Sequence, residues 1–242
     1  MKWAILSDVH ANLEALEAVV EDLRREDAER VAFLGDIVGY GANPTECLAA
    51  LRDLTEIVVA GNHDFGAIGQ TDIGGFNAAA RAAVQWTGEK LSPSDRSFLR
   101  HLPLVRRVEN FTFVHATPHE PEEWNYIFSL DEAEREFKDL GTPLAFIGHS
   151  HRPVIFAEEK NGEVITVQQT EVILEPGKRY LINVGSVGQP RDRNPEAAYG
   201  LLDESSGKYR LKRVPYAVQS AQEKILRAGL PFFLADRLSK GL

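Results

Sequence analysis

The 242-residue chain has one cysteine, Cys47. It can form no internal disulfide, so its stability has to come from buried apolar surface, and such low cysteine use fits a reducing compartment. Positive charge is also scarce. Lys and Arg number 27 against 36 Asp and Glu, a formal net charge of −9, whereas non-specific nucleic-acid binding relies on clustered cations that displace counterions from phosphates. Stable nucleic-acid binding is therefore not expected. No apolar stretch approaches the roughly 20 residues of a membrane span, and Met1 to Leu6 is too short for a secretion-signal core before Ser7 and Asp8 intervene. These absences predict a cytoplasmic protein with no membrane partner. Internal repeats, low-complexity tracts and Pro/Ser-rich linkers are missing too, which favours one continuous domain over residues 1–242. What remains is globular: 43% hydrophobic and 26% charged residues, enough for a core without covalent staples.

Apolar periodicity divides the chain. Lys2 to Leu6 reads as a buried strand, and Leu13, Leu16, Val20 and Leu23 recur at helical spacing within a helix from about Asn12 to Asp27. A second apolar run, Arg30 to Leu34, stops at Gly35-Asp36. A third, Glu56 to Ala60, stops at Gly61-Asn62, with a helix from about Pro44 to Leu51 between them. This β-α-β-α-β order implies parallel strands covered by helices, with ligands gathering beyond the carboxyl ends of the strands. A helical middle follows, Asn77 to Trp86 and Ser94 to Leu99. Then Val105 to Val108 and Phe111 to His115 pair across Glu109-Asn110, and Leu144 to Ile147 ends at Gly148-His149. Val154 to Glu158 and Val164 to Gln168 flank Asn161-Gly162, a strong hairpin signal. Further strands are expected at Glu171 to Leu174, Tyr180 to Val184, Ala198 to Leu202 and Tyr209 to Val214. Two C-terminal helices, from Val218 to Ala228 and from Pro231 to Leu238, are expected to cover a sheet.

Residues able to bind metal sit just after the expected strands: Asp8 and His10, Asp36, Asn62 with His63 and Asp64, His115, and His149 with His151. Five of the seven histidines fall in these positions. Turn chemistry accounts for Asp and Asn at strand ends but not for such a bias in histidine. An oxygen and nitrogen donor set without thiolate disfavours structural zinc and suits Mn²⁺, Fe, Zn²⁺ or Ni²⁺ in an open site.

Taken together, Asp8-Val9-His10, Gly35-Asp36, Gly61-Asn62-His63-Asp64, His115 and Gly148-His149-Ser150-His151 resemble the motif set of the calcineurin-like metallophosphoesterases. The segments Gly35 to Gly41 and Asn183 to Arg191 are similar to a bacterial branch of phosphoesterases and diadenosine tetraphosphatase-like proteins. The resemblance implies an α/β fold, a two-sheet mixed sandwich flanked by helices, acting as a dinuclear metal-dependent phosphoesterase. It assigns Asp8, His10, Asp36 and His151 to one divalent ion, and Asp36, Asn62, His115 and His149 to a second, with Asp36 as the bridge. Two cations about 3.5–4 Å apart repel unless anions lie between them. The implied reaction is attack on phosphorus by a hydroxide shared between the ions. His63 is then the general acid or oxyanion stabiliser, and Asp64 is expected to accept from its other ring nitrogen and fix the tautomer.

The pattern departs from the phosphoprotein phosphatases, where an Asp-Arg pair follows the bridging aspartate; here Gly39 and Tyr40 stand in those places. Arg191 and Arg152 are the candidates to supply the missing phosphate donor. His119 is a further candidate substrate contact. Trp124 and Tyr126 read as packing rather than as a substrate wall, the glycine-rich Gly66 to Gly75 as cover, and His101, Trp3 and Trp86 as structural. The substrate is expected to be a small phosphoester or nucleotide, with monoester, diester, cyclic nucleotide and dinucleoside polyphosphate all open, as is a homo-oligomeric state. A different metallohydrolase would need a His-x-His-x-Asp-His cluster, which the chain lacks. A non-catalytic metal-binding scaffold would be expected to have lost ligands or His63.

Overall fold

The computed structural model describes residues 1–242. The first strand, β1 (Lys2–Leu6), is buried on both faces, and its alternation builds two cores at once. Ala4 and Leu6 face α1 (Leu13–Arg25), where Ala15, Leu16, Val19 and Leu23 form the buried stripe. Trp3 and Ile5 face the other way, into a layer shared with a second sheet. The helix begins where Asn12 accepts a hydrogen bond from the Ala15 amide at 3.2 Å. After β2 (Arg30–Phe33) comes α2 (Pro44–Leu54), whose proline occupies the first turn, where no amide donor is needed. Cys47, Leu48 and Leu51 seal it onto the same core.

The chain then runs through α3 (Asn62–Ala67), α4 (Ala78–Lys90) and α5 (Pro93–Arg100) to β3 (Val105–Val108) and β4 (Phe111–Val114). Next are α6 (Leu130–Asp139), β5 (Leu144–Ile147), β6 (Val154–Glu158), β7 (Val164–Val167), β8 (Glu171–Ile173) and β9 (Arg179–Asn183). The sequence closes with β10 (Ala197–Asp203), β11 (Lys208–Val214), α7 (Val218–Arg227) and α8 (Phe232–Asp236). One sheet has the order β2-β1-β10-β11-β8 and the other β3-β4-β5-β9-β6-β7. Both are mixed: β1 runs parallel to β2 and antiparallel to β10, while β4, β5 and β9 are mutually parallel neighbours. Phe111, Phe113, Phe146 and Ile182 meet Trp3 and Ile5 between the sheets, and Ala145 and Ile147 turn outward beneath Ala133 and Phe137 of α6. Helices thus cover both outer faces of a two-sheet sandwich, as expected. No helix is long and apolar enough to cross a membrane.

Three local expectations differ from what is found. Glu56 to Ala60 is not a strand but a single bridge, Phe33 to Val58, because Ala60 turns away to bond the Pro103 carbonyl at 2.9 Å. Residues after Asn62 form α3 rather than a loop. Helix α6 was not expected, since only Ala133 and Phe137 mark its apolar face; its one signal is Ser129-x-x-Glu132, which forms a reciprocal cap.

Candidate metal centre and active site

The parallel core strands end on one side of the sandwich, and their trailing loops are tied together. The Asp8 amide bonds the Gly35 carbonyl at 3.0 Å and the His10 amide bonds the Asp36 carbonyl at 2.9 Å. Gly61 packs so tightly against this junction that any side chain there would collide with the Asp36 carboxylate. Asp8, His10, Asp36, His149 and His151 all have left-handed backbone, with φ of 55, 49, 57, 64 and 57°. Such a conformation costs a non-glycine residue roughly 1–2 kcal/mol, and it persists only where the surroundings dictate it. Here it aims five side chains at a common point.

Each histidine of the cluster is fixed by a main-chain carbonyl. His10 Nδ1 donates to Val38 at 3.1 Å, His115 Nδ1 to Leu34 at 2.7 Å, His151 Nδ1 to Gln189 at 2.5 Å, and His149 Nε2 to Trp124 at 2.9 Å. A carbonyl only accepts, so the proton of each neutral ring sits on the outer nitrogen and a lone pair points inward. With all four rings neutral, as metal binding requires, acceptor meets acceptor inside. His10 Nε2 lies 3.0 Å from His151 Nε2, and His115 Nε2 lies 3.1 Å from His149 Nδ1 and 3.2 Å from Asn62 Oδ1. Asp8 Oδ1 is 3.2 Å from His151 Nε2 and has no hydrogen-bond partner although fully buried. Asp36 Oδ2 stands between the two groups, 3.5 Å from His10 Nε2 and 3.4 Å from His115 Nε2. Cations resolve this array of converging lone pairs, and the donor atoms of Asp8, His10 and His151, and of Asp36, His115 and His149, lie close enough to hold them. The residues fit the metal binding that the motifs imply, and His10, Asp36 and His63 form a third such group.

Burial penalises charge throughout. It draws His149 and His151 down to about 3, helped by the His115 and Arg191 cations respectively. For His115 the burial cost is outweighed by the Asp36 carboxylate, which raises it to about 9, so a metal bound here displaces the proton from its inner nitrogen. Burial pushes Asp8 and Asp36 upward, yet the surrounding histidines hold both carboxyls well below the usual range.

His63 lies beside the cluster. Its amide donates to Asp36 Oδ1 at 2.8 Å, and its ring is wedged among Tyr40, His10 and Phe76, with centroids 4.4, 4.8 and 4.9 Å away. Gly39 leaves the room this ring needs. Burial keeps it neutral, lowering its pKa well below the ordinary value. The expected bond to Asp64 is absent: His63 Nδ1 has no partner. Asp64 instead takes four backbone donors, Ile37 and Val38 on Oδ1 at 2.9 and 3.1 Å, and Asp36 and Gly61 on Oδ2 at 2.8 and 3.0 Å. These fill the acceptor capacity of a carboxylate, so Asp64 pins the loop carrying Asp36 and aromatic packing orients His63. Burial and the Asp36 charge push Asp64 up to about 7 against the pull of its N–H donors.

Arg191 borders the site. Its Nη2 donates to Gln189 Oε1 at 2.9 Å and to Tyr40 Oη at 3.3 Å, and its buried Nε has no partner. Arg152 Nε donates to the Arg191 carbonyl at 3.1 Å. His119 is not brought to the cluster: half-exposed, it faces Asp139 at 3.1 Å and Glu120 at 3.8 Å. Sequence reasoning missed Phe76 and the carbonyls of Leu34, Val38, Trp124 and Gln189. A carbonyl carries no side-chain signature, so no pattern could have found those four.

A family model described as the calcineurin-like phosphoesterase superfamily domain matches residues 1–207. The chain belongs to this superfamily. It is a phosphoric ester hydrolase. An uncharacterised protein of Methanocaldococcus jannaschii is 41% identical, with 98% of this chain and 97% of that protein aligned. A symmetrical bis(5'-nucleosyl)-tetraphosphatase of Coxiella burnetii is 28% identical over 66% of this chain, which spans 57% of that protein. The crystal structure of a metallophosphoesterase from Sphaerobacter thermophilus, 38% identical, superposes with a TM-score of 0.88 over 100% of this chain and 99% of that one.

Proposed function

We propose that this phosphoesterase hydrolyses small phosphate mono- or diesters, nucleotides among them, with two divalent cations. Asp8, His10, Asp36 and His151 would hold one ion and Asp36, Asn62, His115 and His149 the other, with Asp36 common to both sets. The observation that carries this reading is the inward convergence of histidine lone pairs whose outer nitrogens are all tied to carbonyls. When bound, such ions polarise phosphoryl oxygens and acidify water to a pKa of about 7. By formal count two divalent cations against Asp8 and Asp36 leave a positive site, which draws phosphate to a chain of charge −9. His63, held neutral among three rings, hydrogen-bonds the leaving oxygen and assists its protonation. Arg191, steadied by Gln189 and Tyr40, offers its free Nε to a phosphoryl oxygen. Asp64 keeps the Asp36 loop in register.

We further propose that residues 1–242 act as one unit, since β11 pairs with β10 and α7 packs on α1, and that the protein works in the cytoplasm, whose reducing conditions suit its single cysteine. The test begins by stripping metals with a chelator and titrating Mn²⁺, Fe²⁺, Zn²⁺ and Ni²⁺ while following both bound metal and bis(p-nitrophenyl) phosphate hydrolysis. Two equivalents bound, with activity tracking the second, is the expected result. Hydrolysis that survives complete metal removal would overturn the reading.

A further inference from the structure

A cavity of about 400 Å³ opens directly off the cluster, with His63 and His149 on its inner side. Phe76, Trp124 and Tyr126 line it, and Asp72 and Glu123 stand at its rim; it contains neither Lys nor Arg. Tyr126 lies flat on His149, with centroids 4.1 Å apart and planes inclined by 16°, yet remains 44% exposed. Phe128 lies parallel beyond it at 5.3 Å and is 56% exposed. Two large rings left in water beside a reacting centre are poor economy for a folded protein unless something covers them. No arginine lines this cavity: Arg191 is held by Tyr40 and Gln189, Arg81 donates to the Gly74 and Phe76 carbonyls at 2.9 and 3.0 Å, and Arg152 lies 5.7 Å over the Phe128 ring.

Resting on the phosphoesterase reading, we infer that this cavity receives the leaving alcohol, and that it selects esters of a single phosphate whose alcohol bears a flat, uncharged ring. Aryl and nucleoside alcohols share that chemistry. Water's oxygen bonds to phosphorus, the bond from phosphorus to the alcohol oxygen breaks, and the alcohol departs into the cavity with a proton. A ring stacks on the aromatic wall, a contact that stacking platforms elsewhere show to be sequence-tolerant and substantial. A polyphosphate leaving group would bring several negative charges to a cavity lined by two carboxylates and by no cation, its neighbour Arg81 being held on the Gly74 and Phe76 carbonyls. Sequence reading alone assigned Trp124 and Tyr126 to packing; the exposure of Tyr126 and the cavity beside it are what change that assignment.

The experiment compares kcat/KM of the manganese-loaded enzyme on adenosine 5'-phosphate and its methyl ester with the corresponding ribose 5-phosphate esters. Rates are read as release of adenosine or ribose, whose leaving oxygens are the same primary alcohol, so reactivity is matched. Phenyl phosphate forms the aryl arm and diadenosine tetraphosphate the polyphosphate arm. Adenosine esters should exceed ribose esters by roughly tenfold or more, and Tyr126→Ala should collapse that ratio. Diadenosine tetraphosphate should be the poorer substrate, and Asp72→Lys with Glu123→Lys should raise its kcat/KM relative to the adenosine esters. Binding gives a second readout: adenosine should quench tryptophan emission, and Trp124→Phe should remove that quenching. Equal rates for adenosine and ribose esters, or a preference for the tetraphosphate, would overturn the inference while leaving phosphoesterase activity in place. Absence of hydrolysis on every ester with every metal would instead remove the phosphoesterase reading on which it rests.

Discussion

Replacing Asp64 by Asn separates two roles that the position could have. In the structure its carboxylate accepts from Ile37 and Val38 on one oxygen and from Asp36 and Gly61 on the other. An amide is nearly isosteric, but in either orientation its NH₂ faces two backbone N–H donors. Above Asp64's raised pKa of about 7, where the thermal unfolding is compared, two hydrogen bonds to a charged acceptor are lost, at about 1.5–3 kcal/mol each, and their donors stay buried. The expected cost is roughly 3–6 kcal/mol, a large share of the 5–15 kcal/mol of a typical domain. For a chain of this length each kcal/mol lowers Tm by about 2–4 °C, so the fall should be at least about 6 °C. Thermal unfolding is followed in chelator, because metal bound to the folded state would otherwise add its own stabilisation. Metal affinity should fall with Tm, since the same loop carries Asp36. If Asp64→Asn unfolded within about 2 °C of the parent and bound metal normally, yet lost 100-fold or more in kcat, Asp64 would be acting on His63 and the present reasoning would be wrong.

Other outcomes follow from the same geometry. His63→Ala should retain bound metal while kcat falls by about 10²–10⁴-fold; an unchanged kcat on an ester with a poor leaving group would remove His63 from the chemistry. Asp36→Ala should lower occupancy of both metal positions together, as measured by elemental analysis, and selective loss of one ion would contradict sharing. Glu26 joins α1 to β11 through Lys212 and through Arg210 at 2.7 Å, and these partners, Lys212 foremost, lower its pKa from 4.5. Its contribution to stability is therefore present above pH 4.5 and is lost as pH falls through the depressed folded value. The gap between parent and Glu26→Gln in urea denaturation should accordingly narrow on acidification, and a gap that widened would refute the assignment. Cys47, buried between α1 and α2 with its thiol pKa pushed up by burial, should resist a thiol reagent until the protein unfolds.

Much of the site was legible because strand ends announce themselves. Apolar runs that stop at Gly35-Asp36, Gly61-Asn62 and Gly148-His149 placed the donors at one end of the sandwich, and the structure brings Asp8, His10, Asp36, Asn62, His115, His149 and His151 together there. Continuous apolar runs also marked the strands, although Glu56 to Ala60 shows that such a run can be used for a single bridge when its neighbours are needed elsewhere. Illegible features were those set by backbone or by distant partners. Nothing in Asp64 distinguishes a residue that accepts four amides from one that orients the adjacent histidine, because adjacency along α3 says little about which way two side chains point. The same holds for Tyr40, read from sequence as the loss of an arginine and found to link His10, His63 and Arg191 through its ring and hydroxyl. His119 lay near the motifs in sequence, yet it is half-exposed and faces Asp139 and Glu120 rather than the cluster.

The central claim is that converging lone pairs around Asp36 hold two ions. Anomalous diffraction from crystals soaked in Mn²⁺ measures this directly. Two peaks flanking the Asp36 carboxylate, about 3.5–4 Å apart, one against Asp8, His10 and His151 and the other against Asn62, His115 and His149, are the predicted result. A single peak, or density that leaves Asp36 uncoordinated, would contradict it.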